Sequence, residues 1–226
     1  MQKNLQETCW TLVHGAADGR ADARALFAEV YLPIIRAYLA ARWKGGPMLD
    51  RLDDAVQDTF LECFRGEGAL GRLDGDGRFR TFLFAVVRNV ARRHEERLVK
   101  DAGRRGEALS LAQPTSGAPG PSRVYDRAWL DTLLKRAAAR QARWADEAGA
   151  EAQRRIELMR LRFVDGLPIR EIAEQWDVPA AVVHREYRQA RREFKRALRE
   201  EVAFHQPDAS SDQIEAECAQ LLELLT

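Results

Sequence analysis

Apolar residues in this chain recur three and four positions apart, in blocks punctuated by glycine and proline. Between Ala21 and Trp43, Leu26, Val30, Ile34, Tyr38 and Leu39 fall on one side of a helix, which Gly45-Gly46-Pro47 should end. A second helix is predicted from about Asp50 to Phe64, with Leu52, Val56, Thr59, Phe60 and Cys63 inward. A third should start near Arg78 and run to about Arg97. Its stripe of Phe79, Phe82, Leu83, Val86, Val87 and Val90 has the spacing of a strongly buried face. Further on, Ile169, Ile172 and Trp176 can face Val183, Tyr187, Ala190 and Phe194 across a short turn. Near the end, Ser210 with Gln213 three residues on offers a helix cap ahead of an Ile214, Cys218, Leu221, Leu222, Leu225 stripe. No run alternates in the β-strand period, so the expected fold class is all-α.

Between Asp101 and Ser122 the pattern lapses into Gly103, Gly106, Pro114, Thr115, Ser116, Gly117, Pro119, Gly120 and Pro121. Such a stretch has little to bury against its ordering entropy and reads as a flexible tether. Two small helical domains joined by a linker follow: an N-terminal segment 1–17, a first domain 18–100, a linker 101–123, a second domain 124–202 and an acidic extension 203–226. Within 226 residues, 46% hydrophobic and 31% charged, there is material for two such cores. No apolar run nears the roughly 18–20 residues of a membrane span, so a cytoplasmic protein is expected. Cys9, Cys63 and Cys218 are far apart and do not cluster with the four histidines, which supports neither a disulfide framework nor a zinc site.

Charge changes the picture through its distribution. The net value is only +1, but basic residues crowd Arg72–Arg105 and Arg154–Arg199. Acidic residues crowd Asp50–Glu62 and the tail after Glu200, which has no Lys or Arg. Separated blocks suit one surface for phosphates and another for a basic protein. On the third helix, Thr81, Phe84, Arg88 and Arg92 lie opposite the apolar stripe, flanked by Asn89 and Arg93. An aromatic beside arginines can stack on an unpaired base while guanidiniums hold phosphates. It can equally pack on a neighbouring helix. In the second domain, Ala173, Asp177 and Val183 have helix-turn-helix spacing: a small residue at the helix crossing, a turn residue tolerant of left-handed backbone, and a core residue in the next helix. Pro179 suits the start of that helix, whose outward side carries Ala181, His184, Arg185, Arg188 and Arg192.

These segments resemble those of a known family. Arg78-Phe-Arg-Thr-Phe-Leu-Phe-Ala-Val-Val-Arg-Asn resembles the promoter-melting segment of the extracytoplasmic-function sigma factors of bacterial RNA polymerase. Asp53-Asp54-Ala-Val-Gln-Asp58-Thr-Phe60 resembles their polymerase-binding motif, and Leu161-Arg-Phe-Val-Asp-Gly-Leu with Glu171-Ile-Ala resembles their −35-reading domain. The resemblance implies a core-polymerase surface of Asp53, Asp54, Gln57, Asp58 and Phe60. It implies −10 contacts and melting by Arg80, Phe82, Phe84, Arg88, Asn89, Arg92 and Arg93, with the glycine-rich loop Arg65–Gly77 approaching a flipped base. It implies −35 contacts by Ala181, His184, Arg185, Arg188 and Arg192. One departure is Arg51, where the family carries an acid.

The expected function is therefore that of a sigma factor, binding the β′ and β subunits of core polymerase and promoter DNA. No catalytic, cofactor or metal-ligand constellation is expected. An anti-sigma factor, a kinase and the C-terminal extension are the candidate regulators. The competing reading is a helix-turn-helix repressor that binds duplex DNA without polymerase and leaves the first domain unexplained.

Overall fold

The computed structural model describes residues 9–64, 79–105, 119–206 and 208–223. All regular structure among them is helical. In chain order there are α1 (Cys9–Ala17), α2 (Ala21–Arg42), a 3₁₀ turn (Pro47–Arg51), α3 (Leu52–Phe64), α4 (Phe79–Arg105), α5 (Pro121–Ala148), α6 (Ala150–Phe163), α7 (Ile169–Gln175), α8 (Ala180–His205) and α9 (Ser211–Glu223). Among the described residues no helix is long and apolar enough to cross a membrane. The expected loop Arg65–Gly77, most of the tether and Leu225 lie outside them.

Packing divides the chain into two compact units. One falls within Met1–Thr132 and Ala203–Thr226, the other is Leu133–Val202. This division differs from the expected boundaries at the start of the second domain, while its end at Val202 coincides with the one expected. Helix α4 runs on to Arg105, and the start of α5 belongs with the first unit rather than the second. The reason is aromatic. Tyr125 and Trp129 are buried, with Trp129 stacked 6.1 Å from Tyr31 and Tyr125 5.0 Å from Phe84. The C-terminal helix α9 also belongs to this unit.

The first unit is built on the stripe read from the sequence. Phe79, Phe82, Leu83, Val86, Val87 and Val90 of α4 are all buried, against Val30, Ile34, Tyr38 and Leu39 of α2 and Leu52, Val56, Thr59 and Cys63 of α3 among others. Thr59 is tolerated there because its hydroxyl donates to the Ala55 carbonyl at 2.7 Å. Helix α1 was not expected, yet Cys9, Leu12, Val13 and Ala16 form its buried face. Its approach to α2 needs Gly15, where a Cβ would come within 3.2 Å of the Ala23 Cβ. The Cys9 thiol reaches the His205 carbonyl at 3.6 Å, fastening α1 to the last turn of α8. Burial pushes the Cys9 and Cys63 thiols up to about 12, so both are neutral and unreactive at ordinary pH.

In the second unit, Leu158 and Leu161 of α6 meet Ile172 and Ala173 of α7 and Val183 of α8. Leu167, Ile169, Trp176, Val178, Ala180 and Tyr187 close around this core. Arg154 lies 4.5 Å over the Trp176 ring. Glu201 is almost wholly buried and accepts from Arg136 Nε and Arg140 Nε, each at 2.8 Å. Burial alone would raise its pKa. The two guanidiniums outweigh that and hold the carboxyl below its ordinary value.

Candidate polymerase and nucleic-acid interfaces

Helix α3 presents a narrower acidic face than its sequence suggests. Asp54 and Gln57 are exposed, as are Asp50 before them and Leu61 after them. Asp54, Gln57 and Leu61 follow one another along a single side of α3, with Asp50 in the 3₁₀ turn just before it. Asp53 is exposed but ion-paired with Arg36 of α2. Asp58, expected on the polymerase surface, and its neighbour Glu62 turn toward α4 instead. The Asp58 carboxylate lies 2.9 Å from His94 Nε2, and Glu62 accepts from Arg93 at 3.0 Å. Phe60 packs at 5.6 Å on Phe27 and is half-buried. Arg51 is exposed beside Asp50 and Asp54.

The face of α4 splits in the same way. Arg88, Asn89 and Arg92 are exposed, and among the described residues Arg92 makes an intrahelical pair with Glu96 at 3.5 Å, which counts for little in water. The other residues expected there are engaged. Phe82 is buried, 6.3 Å from Trp10, and presents no face to solvent that a base could stack on. Phe84 is half-buried between Tyr38 at 5.5 Å and Tyr125 at 5.0 Å. Arg93 is tied to Glu62. Arg80 donates to Asp126 of α5 at 2.6 Å and to Glu217 of α9 at 3.2 Å. Its carbonyl accepts from the Tyr125 hydroxyl at 2.9 Å.

Two turns on from Arg88 along α4 sits a polar network that the sequence reading missed. Glu95 of α4 takes Arg42 Nε at 2.6 Å, Arg42 Nη2 at 2.8 Å and Trp43 Nε1 at 2.9 Å. Burial pushes the Glu95 pKa up, but the hydrogen bonds from Arg42 and Trp43 win and hold it below its ordinary value. The bidentate fork fixes the end of α2 against the middle of α4 and so sets which side of α4 faces out.

In the second unit the helix-turn-helix is formed as its spacing implies. Among the described residues Asp177 is the one non-glycine with a left-handed backbone, at φ 50°. The Val178 N–H bonds the Ala173 carbonyl at 3.1 Å across the turn, and the Val182 N–H bonds that of Pro179 at 2.9 Å as α8 begins. Val183 turns inward, which sends Ala181, His184, Arg185, Arg188 and Arg192 outward, all exposed. Arg185 and Arg192 touch Glu186 at 3.6 Å and Gln189 at 2.6 Å, neighbours on their own helix. Lower on α8, Gln141 donates to the Ala190 carbonyl at 2.9 Å, and Arg155 pairs with Glu193 at 3.0 Å. These contacts clamp the helix from its inward side.

At the chain's end the expected cap is present. The Ser210 N–H bonds Gln213 Oε1 at 2.7 Å, and the Gln213 N–H returns to Ser210 Oγ at 3.3 Å. Cys218 and Leu221 are buried and Ile214 is half-buried, with Glu217 buried among them. An acid inside an apolar stripe was the available signal that this position has a specific partner. No protein-family model matches the chain, and no curated protein matches it in sequence.

Proposed function

We propose that the protein is a promoter-recognition subunit of bacterial RNA polymerase, acting in the cytoplasm as the extracytoplasmic-function sigma factors do. The observation that carries this reading is the pair of opposed chemistries on one unit. The α3 side Asp54, Gln57, Leu61, with Asp50 in the turn before it, offers carboxylates and a leucine to a basic partner helix. The α4 side Arg88, Asn89, Arg92 offers guanidiniums and an amide to nucleic acid. The helix-turn-helix adds a third surface, suited to the major groove. A duplex-binding repressor would need only that third surface.

In this reading α3 holds core polymerase through β′, and the second unit reads the −35 element. Arg88, Asn89 and Arg92 then hold the melted −10 strand, with phosphate contacts giving affinity and Asn89 a hydrogen-bonding edge. The decisive experiment is run-off transcription with purified core polymerase across fragments of the source genome. Discrete transcripts that depend on this protein are expected, and Asp54→Lys should abolish them while leaving the far-ultraviolet circular dichroism unchanged. Absence of both core binding and specific transcripts overturns the proposal. Retained binding to specific duplex DNA in that case would leave the repressor reading, which the engagement of Arg80, Phe84 and Arg93 favours.

A further inference from the structure

We propose that Glu217 of α9 and Asp126 of α5 occupy the place of a nucleic-acid phosphate on α4, so that single-stranded DNA binds this face by displacing them. The inference rests on the nucleic-acid reading of α4. Arg80 stands at the start of α4 with two carboxylates on its guanidinium, Asp126 on Nη2 at 2.6 Å and Glu217 on Nη1 at 3.2 Å. The side chain of Arg80 is 26% exposed and that of Glu217 only 6%, so the pair is largely withdrawn from water. A guanidinium held this way is costly to strip of its partner, but it can exchange one anion for another. A phosphate oxygen supplies the same charge and the same acceptor geometry.

The contacts around Arg80 act together. Tyr125 adjoins Asp126, donates its hydroxyl to the Arg80 carbonyl and lays its ring against Phe84. Charge and aromatic ring on α4 are thus covered by one short segment. Glu217 is brought in by a helix whose first turn is locked by the Ser210–Gln213 box. The tail that delivers it carries no Lys or Arg of its own, so it competes with DNA and cannot assist it. Exposed Arg88, Asn89 and Arg92 provide the first foothold, from which a strand reaches Arg80 only by exchange.

The test uses the full chain and a fluorescent oligothymidylate. The double variant Asp126→Asn, Glu217→Gln should bind on the order of tenfold tighter than the unmodified protein. In the unmodified protein, the amides of 211–221 should exchange hydrogen faster once the oligonucleotide is bound, a readout that needs no variant to fold. Equal affinity in a folded double variant, or unchanged α9 exchange on binding, overturns the cover. Arg88→Ala separates the two readings. If it weakens binding while the double variant gains nothing, the cover alone is wrong, and if no form binds the strand, the cover falls together with the nucleic-acid reading of α4.

Discussion

On α8, Arg185 and Arg192 find their partners, Glu186 and Gln189, within one turn of the same helix; on α4, Arg80 and Arg93 find theirs on α3, α5 and α9. Both helices carry the same outward signature, arginines opposite an apolar stripe. One presents it to solvent, and the other satisfies Arg80 and Arg93 internally while leaving Arg88 and Arg92 exposed. An arginine-rich face is therefore a statement about charge, and its availability depends on what the rest of the chain brings to it. The buried glutamates make the same distinction. Glu201 is enclosed by Arg136 and Arg140 and belongs to the scaffold behind α8, whereas Glu217 meets an arginine on a face that otherwise looks outward.

The largest effect should come from breaking the scaffold side of this contrast. Glu201→Ala takes their shared carboxylate from two guanidiniums, 23% and 25% exposed, of which Arg140 keeps Glu200 at 3.3 Å. The cost should be about 3 kcal/mol, the low end for a broken buried pair. Urea unfolding followed by intrinsic fluorescence should show the second unit's transition moving to lower denaturant. Glu217→Gln should move the first unit's transition far less, because Arg80 keeps Asp126. Comparable shifts would mean that both glutamates are scaffold.

The open face comes next. Arg188→Ala, and separately Arg185→Ala, should weaken binding to a selected duplex by about 1–3 kcal/mol if the side chain reads a base, with the loss concentrated at one or two positions of the site. A uniform loss across sequences would identify a phosphate contact. Arg93→Ala should change single-strand binding less than Arg88→Ala, because Arg93 is held by Glu62. The opposite ranking would mean that Glu62 releases Arg93 on binding.

How far this contrast could be read beforehand follows from the range of the signals. The α4 stripe, the left-handed Asp177 and the Ser210–Gln213 box each involve residues within a few turns of one another, and all three are present. The partners of Arg80 lie 46 and 137 positions away, and that of Arg93 lies 31 away. No helical period reports on such distances. The same reason placed Tyr125 and Trp129 with the second domain, when their rings belong with Tyr31 and Phe84. The family resemblance puts Asp58 on the polymerase surface; His94 and Arg93 on α4 supply the reason for Asp58 and Glu62 to turn in. Helix α1 is different, since Cys9, Leu12, Val13 and Ala16 have helical spacing and the signal was present but passed over.

Acid should act on both units through the same physics. Glu95 in the first and Glu193 and Glu201 in the second have folded pKa values below the ordinary 4.5. The unfolded chain therefore binds more protons between the folded values and 4.5. Stability from these groups is in full force above about pH 4.5 and is lost as pH falls through the folded values. Urea midpoints measured down a pH series should hold level to that point and then drop for both transitions. In Glu201→Gln the second unit should decline less steeply than in the unmodified protein, while the first declines as before. Parallel declines in the variant would show that Glu201 has no part in the acid response.

The smallest effect tests whether the open face depends on the backbone that turns it outward. Asp177 holds φ 50°, a conformation in which a Cβ crowds the following carbonyl. Aspartate bears this better than most residues and alanine lacks its local hydrogen bonding, so Asp177→Ala should destabilise the second unit by about 1 kcal/mol. Glycine removes the crowding altogether but adds freedom to the unfolded chain. Asp177→Gly should thus lie within about 0.5 kcal/mol of the original, because the two contributions oppose each other. Both variants keep the core of Leu158, Leu161, Ile172, Ala173 and Val183, so the direction of Arg185 and Arg188 should not change. Duplex affinity should accordingly follow the folded fraction and nothing more. A loss of affinity in Asp177→Gly at unchanged stability would show that aspartate at the turn does more than shape it, and would place the turn itself within the DNA-contacting surface.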